Sequence, residues 1–229
     1  MDFFDSLIKQ ALEITQGLAE VNYDYNADNV WKDVGASQVI LQKHSAFELS
    51  GTGFNLVTSS HIDDGITIIG SELCDIKKDC SFTRISIVQI DEQESEQKAY
   101  NLIRKVEYVK YHYFPDGYMI RTASRSHKEA VRVSKQAIKN GISFQNVGNL
   151  LIAKYKENPA VKGVRVIFIT SPEVDHKAFE ALAHKNNSIT ETLNHVMNSV
   201  NFDCNTCNLK PICDEVDGMR ELHFKNKGM

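Results

Sequence analysis

The sequence predicts an α/β or α+β protein: a strand-rich N-terminal region, then a mixed sheet with flanking helices, then a cysteine-rich, metal-binding C-terminus. Three observations predict it. Short β-rich runs separated by turn residues follow one another between Val39 and Ile90. After about residue 91 helical and strand-like patterns alternate around the apolar run Val164 to Ile169. Three thiols, Cys204, Cys207 and Cys213, crowd into ten residues near the C-terminus. The organisation expected is a helix and linker over 1–36, a strand-rich region over 37–91, an α/β region over 92–200 and a Cys/His tail over 201–229.

Taken in order, Phe3, Phe4, Leu7, Ile8, Leu12 and Ile14 recur at near-helical spacing and predict a helix over 2–19. From Val21 to Ala36 the chain is polar and aromatic without a period. Val39 to Leu41, Phe54 to Val57, Ile66 to Ile69 and Phe82 to Ile90 read as strands, with turns at Gly51 to Gly53 and Asp63-Asp64-Gly65. Asp91 to Glu96 supplies the acidic start that suits a positive helix terminus and leads into Leu102, Ile103, Val106 and Val109. Pro115-Asp116-Gly117 ends that segment and Tyr118 to Ile120 is a short strand. A helix is expected over Glu129 to Asn140, carrying Ala130, Val131, Val133, Ala137 and Ile138 and stopped by Gly141. A second follows over Phe144 to Lys156. Val164 to Ile169 is the clearest strand, and helices over Asp175 to Lys185 and Ile189 to Val200 lead to the cysteines.

The chain has 229 residues, 42% hydrophobic and 24% charged, which is the balance of a globular protein and argues against disorder. A net charge of -4 favours neither nucleic-acid phosphates nor an anionic membrane. No apolar run approaches the roughly 20 residues of a spanning helix, and Met1 to Gln10 lacks a signal-peptide layout. A cytoplasmic protein is expected, without membrane or nucleic-acid partners. In a reducing compartment clustered thiols read as metal ligands or redox groups.

Cys204-x2-Cys207 holds two sulfurs close enough for one metal centre, and Cys213 supplies a third ligand, each as the thiolate. An iron-sulfur cluster, a structural zinc and incidental cysteines are the three readings, and Pro211 is compatible with either centre. Cys74 and Cys80 flank a charged loop and read equally well as buried thiols.

With the words Arg132-Val-Ser-Lys135-Gln-Ala-Ile-Lys-Asn-Gly141, Val147-Gly148-Asn-Leu-Leu-Ile-Ala-Lys154 and Lys162-Gly-Val-Arg-Val-Ile-Phe-Ile-Thr170, followed by the cysteine run, the C-terminal half resembles the β subunit of the carbon monoxide dehydrogenase/acetyl-CoA synthase complex. Weaker likeness reaches back to Ile69 to Leu73, so the resemblance covers roughly residues 45 to 224. It implies a four-iron four-sulfur cluster on Cys204, Cys207 and Cys213. Nine intervening residues after Cys213 lead to His223, where the family has its fourth cysteine, so an imidazole is a candidate fourth ligand, with a His that binds no metal, or closure by Cys74 or Cys80, as the alternatives. The family's Cys-Gly-Cys, which binds the distal nickel, is absent from this sequence. Self-contained acetyl-CoA synthesis is therefore not expected. The resemblance implies an accessory or electron-transfer role in one-carbon metabolism beside a CO dehydrogenase/corrinoid-type partner, with a homo-oligomer left open. The rivals are an acyltransferase completing its nickel site with another chain, and a zinc-stapled interaction module that is not an enzyme.

Arg121, Arg125, His127, Lys128, Arg132, Lys135 and Lys139 form a basic stretch, and Lys128, Arg132, Lys135 and Lys139 would share one face of the expected helix. The resemblance places coenzyme A near this region, bound by arginines. A solvated helix face is the alternative. Tyr108, Tyr111, His112, Tyr113 and Phe114 read as packing, His61 to Asp64 as a turn, and His176, His184 and His195 as surface or satisfied histidines.

Overall fold

The structure is a computed structural model that describes residues 3–32, 53–70, 76, 80–91, 93, 95–112, 118–122, 129–133, 135–171, 173–198, 207–216, 218–219 and 221–222. In chain order the elements are α1 (Asp5–Thr15), β1 (Glu20–Asp24), a 3-10 turn (Ala27–Asn29), β2 (Gly53–Thr58), β3 (Gly65–Ile69), β4 (Cys80–Ile90), α2 (Glu96–His112), β5 (Tyr118–Thr122), β6 (Glu129–Val133), α3 (Lys135–Lys139), α4 (Phe144–Lys156), β7 (Val161–Ile169), α5 (His176–Met197) and α6 (Lys210–Glu215).

The described strands join one mixed sheet. Its body runs β1-β3-β7-β4-β2, and the β5–β6 hairpin attaches through β6 to Cys80–Phe82, the first residues of β4. β3 and β7 are parallel, β2 and β4 are parallel, and β4 meets β7 antiparallel. The two parallel pairs therefore end at opposite ends of the sheet. Because side chains alternate along a strand, Ile66, Ile68, Val164, Val166 and Phe168 share one face, and Phe54, Leu56, Ile85, Ile87 and Ile167 share the other. All of these are buried, which is why the strands read as β-branched and nearly continuously apolar.

α4 packs on β3 and β7, α1 and α5 lie together against β2, and α2 touches β2, α4 and α5. Gly148 lets α4 approach the sheet, since a Cβ there would stand 2.5 Å from Ile66 Cγ1. α4 opens with a capping box in which Ser143 and Asn146 bond each other's backbone N–H at 3.2 and 2.9 Å. Beneath it the Tyr155 hydroxyl donates to Asn55 Oδ1 at 2.8 Å, and Asn55 Nδ2 donates to the Val106 carbonyl at 3.2 Å. Arg84, 2% exposed in the middle of β4, donates to Ser86 Oγ at 3.2 Å. Burial raises the Tyr155 hydroxyl above its ordinary 10.0, against the opposing pull of the Arg84 charge.

Several expectations are corrected. The helix expected over 129–140 is two elements, strand β6 and the short helix α3. Ala130, Val131 and Val133 fit either period, and pairing with β5 selects the strand. The two helices expected between 175 and 200 are the single helix α5, with Asn186 buried in its interior. The first helix covers 5–15 instead of 2–19. The stretch read as aperiodic after Val21 contains the edge strand β1, exposed along most of its length. The strand expected at Val39 to Leu41 lies outside the described residues. Phe54 to Val57, Ile66 to Ile69, Phe82 to Ile90 and Val164 to Ile169 all fall in strands, and Phe144–Lys156 is helical as expected.

Candidate functional site

The cysteine tail is the first candidate. Cys207 and Cys213 are half-buried thiols outside any disulfide, while Cys204 and His223 lie outside the described residues. The Cys207 carbonyl accepts from Lys210 N at 3.3 Å, which starts α6, and the Cys213 N–H donates to the Leu209 carbonyl at 3.3 Å. Pro211 suits this first turn because it lacks the N–H that would have no helical partner there. Leu209, Val216, Met219 and Leu222 are buried, Cys213 packs against the core, and Lys185 of α5 bridges Glu215 at 3.0 Å. The tail is thus docked along α5, with Cys213 packed against the core. Among the described residues no three His, Cys, Asp or Glu side chains gather into a metal site. Thiolates are the donors that iron-sulfur clusters and structural zinc take, and of the two described thiols Cys213 packs against the core. Cys80 begins β4, and Cys74 lies outside the described residues.

The basic residues are the second candidate, and here the helical-face expectation fails. Arg121 belongs to β5, Arg132 to β6 and Lys135 to α3, where Lys135 is exposed; Arg125 and Lys128 lie outside the described residues. The hairpin register sets Arg121 opposite Ala130 and Met119 opposite Arg132. The hairpin joins the sheet where β3 and β7 end. At that end Gly70 takes φ 112 and leaves a close approach that a Cβ would fill at 2.6 Å from Ser171 N. Asp175 caps α5 by accepting from Lys177 N and Ala178 N at 3.0 and 3.1 Å. His176 bonds Thr83 Oγ1 at 3.2 Å and the Ser171 carbonyl at 3.1 Å, so it is a satisfied histidine. Burial lowers its pKa from the ordinary 6.5.

A third feature was not foreseen. At the opposite end, past the C-termini of β2 and β4, a cavity of about 400 Å³ opens between α2, α5 and Phe3. Tyr100 forms one wall. Its hydroxyl donates to Asn194 Oδ1 and accepts from Arg104 Nη1 at 3.0 Å, and Arg104 also reaches Asn194 at 3.1 Å. This lattice ties α2 to α5 and fixes the wall. The lining comes from separate stretches of chain, Phe3, Ser59, Ile90 to Glu96, Ala99 to Ile103 and Leu193 to Met197, so no spacing rule exposes it. The tail touches the same place from behind, since a Cβ on Gly218 would stand 3.7 Å from Phe3 Cε1.

The sequence model of the family described as CO dehydrogenase/acetyl-CoA synthase complex beta subunit matches residues 24–174. The match takes in most of the sheet, the hairpin and α4, and stops before α5 and the cysteine tail. It begins earlier and ends earlier than the resemblance read from the sequence, so the likeness of the cysteine run lies beyond it. No curated protein matches the chain.

Proposed function

The chain belongs to the CO dehydrogenase/acetyl-CoA synthase complex beta subunit family, and from that premise we propose that it is a metal-binding accessory or electron-transfer protein of one-carbon metabolism. Cys204, Cys207 and Cys213 hold an iron-sulfur cluster, with His223 as the fourth ligand. The observation that supports this reading is the docked tail: Cys207 and Cys213 sit half-buried on a segment that Leu209, Val216, Met219 and Leu222 fix to the body. A cluster needs donors held in place, and its potential is set by such partial burial. When bound, the cluster supplies one-electron chemistry. The chain's own contribution is to fix the thiols and limit their exposure to water.

The family takes its name from a complex, so a protein partner accompanies this reading. Coenzyme A is proposed as a ligand of the hairpin and α3, through Arg121, Arg125, Arg132 and Lys135, because guanidinium forks suit phosphate oxygens.

Anaerobic purification with iron, sulfide, zinc and nickel analysis tests the proposal. Iron with sulfide and a broad brown absorption, lost in Cys207→Ser and Cys213→Ser, is the expected result. A colourless protein with one zinc per chain replaces it with an interaction module stapled by zinc. That second reading is favoured by the residues flanking α6, because buried Leu209, Val216, Met219 and Leu222 make the tail part of the fold. Stoichiometric nickel points to an acyltransferase that completes its site with another chain, and a metal-free, normally folded protein overturns every metal reading.

A further inference from the structure

We propose that the cavity between α2, α5 and Phe3 is a binding site for a small organic ammonium, an apolar body carrying one protonated amine. The first argument is shape and lining. Phe3, Ile90, Ala99, Ile103, Leu193 and Met197 give an apolar floor, and a volume of about 400 Å³ lies in the range of small-molecule sites. The position also fits, because the crevice outside the carboxyl ends of parallel strands is where open α/β sheets bind ligands, and β2 and β4 both end here.

The second argument is charge. The ionisable groups among the described lining residues, beyond the engaged Tyr100 hydroxyl, are Asp91 and Glu96, both carboxylates. Asp91 is bridged through Oδ2 by Lys162 at 3.0 Å, an exposed pair with both side chains about half accessible, which holds little energy against a competing cation. An anionic ligand would meet the carboxylates of Glu96 and of the Lys162-bridged Asp91, whereas an ammonium can exchange into the exposed Asp91 pair while its body covers the apolar floor. Ser59, Gln93 and Ser95 supply further hydrogen-bonding groups around the amine. The rigid Tyr100–Asn194–Arg104 lattice preforms the wall, so little ordering opposes binding.

The test is titration calorimetry of the full chain with tryptamine and with indole-3-propionate, two probes of similar body and opposite charge. Tryptamine is expected to bind, and the acid to bind at least about ten-fold more weakly. Glu96→Gln, an exposed change at the start of α2, should cut the amine's affinity several-fold and leave the acid no weaker. Ala99→Leu places a side chain in the cavity and should abolish binding of the amine. Should that variant fail to fold, saturation-transfer NMR on the unmodified protein, together with Glu96→Gln, decides the matter. Absence of tryptamine binding up to millimolar concentration overturns the proposal. So does equal or tighter binding of the acid, or unchanged amine affinity in a folded Ala99→Leu. None of these outcomes depends on a metal at the cysteines, so this inference and the proposed function stand or fall separately.

Discussion

Where β3 and β7 run out, at Ile69 and Ile169, Phe82, Phe144 and Phe168 close into one aromatic cluster, with ring centroids 5.0, 5.4 and 4.8 Å apart. Where β2 and β4 run out, at Thr58 and Ile90, the side chains stand back around a cavity. Both ends are floored by parallel strands and both are flanked by helices, so the strands themselves do not make the difference. It lies in what crosses the end. At the first, Phe144 at the start of α4 brings aromatic bulk onto Phe82 and Phe168, and edge-to-face and tilted ring contacts fill the gap. At the second, the turn after β4 passes polar residues over the gap, and the bulk needed to close it is missing. A filled end stabilises, and an open end leaves room for a ligand.

The comparison is most easily broken at the filled end. Phe82→Ala should lower stability by about 3–5 kcal/mol, read by urea unfolding, because Phe144 and Phe168 lose a common neighbour. A loss near 1 kcal/mol would mean the cluster is not the tight end. Gly148→Ala should cost about 1–3 kcal/mol, since its Cβ would press on the packed Ile66 side chain. Acid should act on the same side of the molecule. Burial holds His176 below its ordinary 6.5, so the folded chain resists a proton that the unfolded chain accepts. The stability from this group is complete above pH 6.5 and is lost as pH falls through the lower folded value. Thermal unfolding midpoints measured from pH 7.5 to 5 should therefore fall, and His176→Gln should flatten that limb. At the open end, Lys162→Ala removes an exposed ion pair and should change stability by less than about 0.5 kcal/mol by the same urea assay.

Much of the sheet was legible because buried parallel strands force β-branched runs, as in Ile66 to Ile69 and Val164 to Ile169. α4 was legible as the helical stretch that follows the Gly141 stop, over the same span Phe144–Lys156. β1 was not, because it lies at the sheet edge with polar Glu20, Asn22 and Asp24 exposed, and its pairing with β3 is a tertiary fact. The 129–133 segment carried two periods at once, and only its partner strand distinguishes them. α5 looked interrupted at Asn186-Asn187-Ser188, yet Asn186 is 1% exposed and Thr192 Oγ1 donates back to the Ser188 carbonyl at 2.7 Å, so the helix continues through polar residues. Of the candidate sites, the thiols were visible by spacing and the arginines through a resemblance. The cavity was invisible, being assembled from stretches that have nothing in common until the chain folds.

That uninterrupted α5 has a mechanical meaning. At 22 residues and about 1.5 Å per residue it is a strut roughly 33 Å long, with His176 under the hairpin end and Met197 at the cavity. A strut without a joint does not melt in halves, so its amides near both extremities should exchange with deuterium at comparable, slow rates, as parts of one cooperative unit.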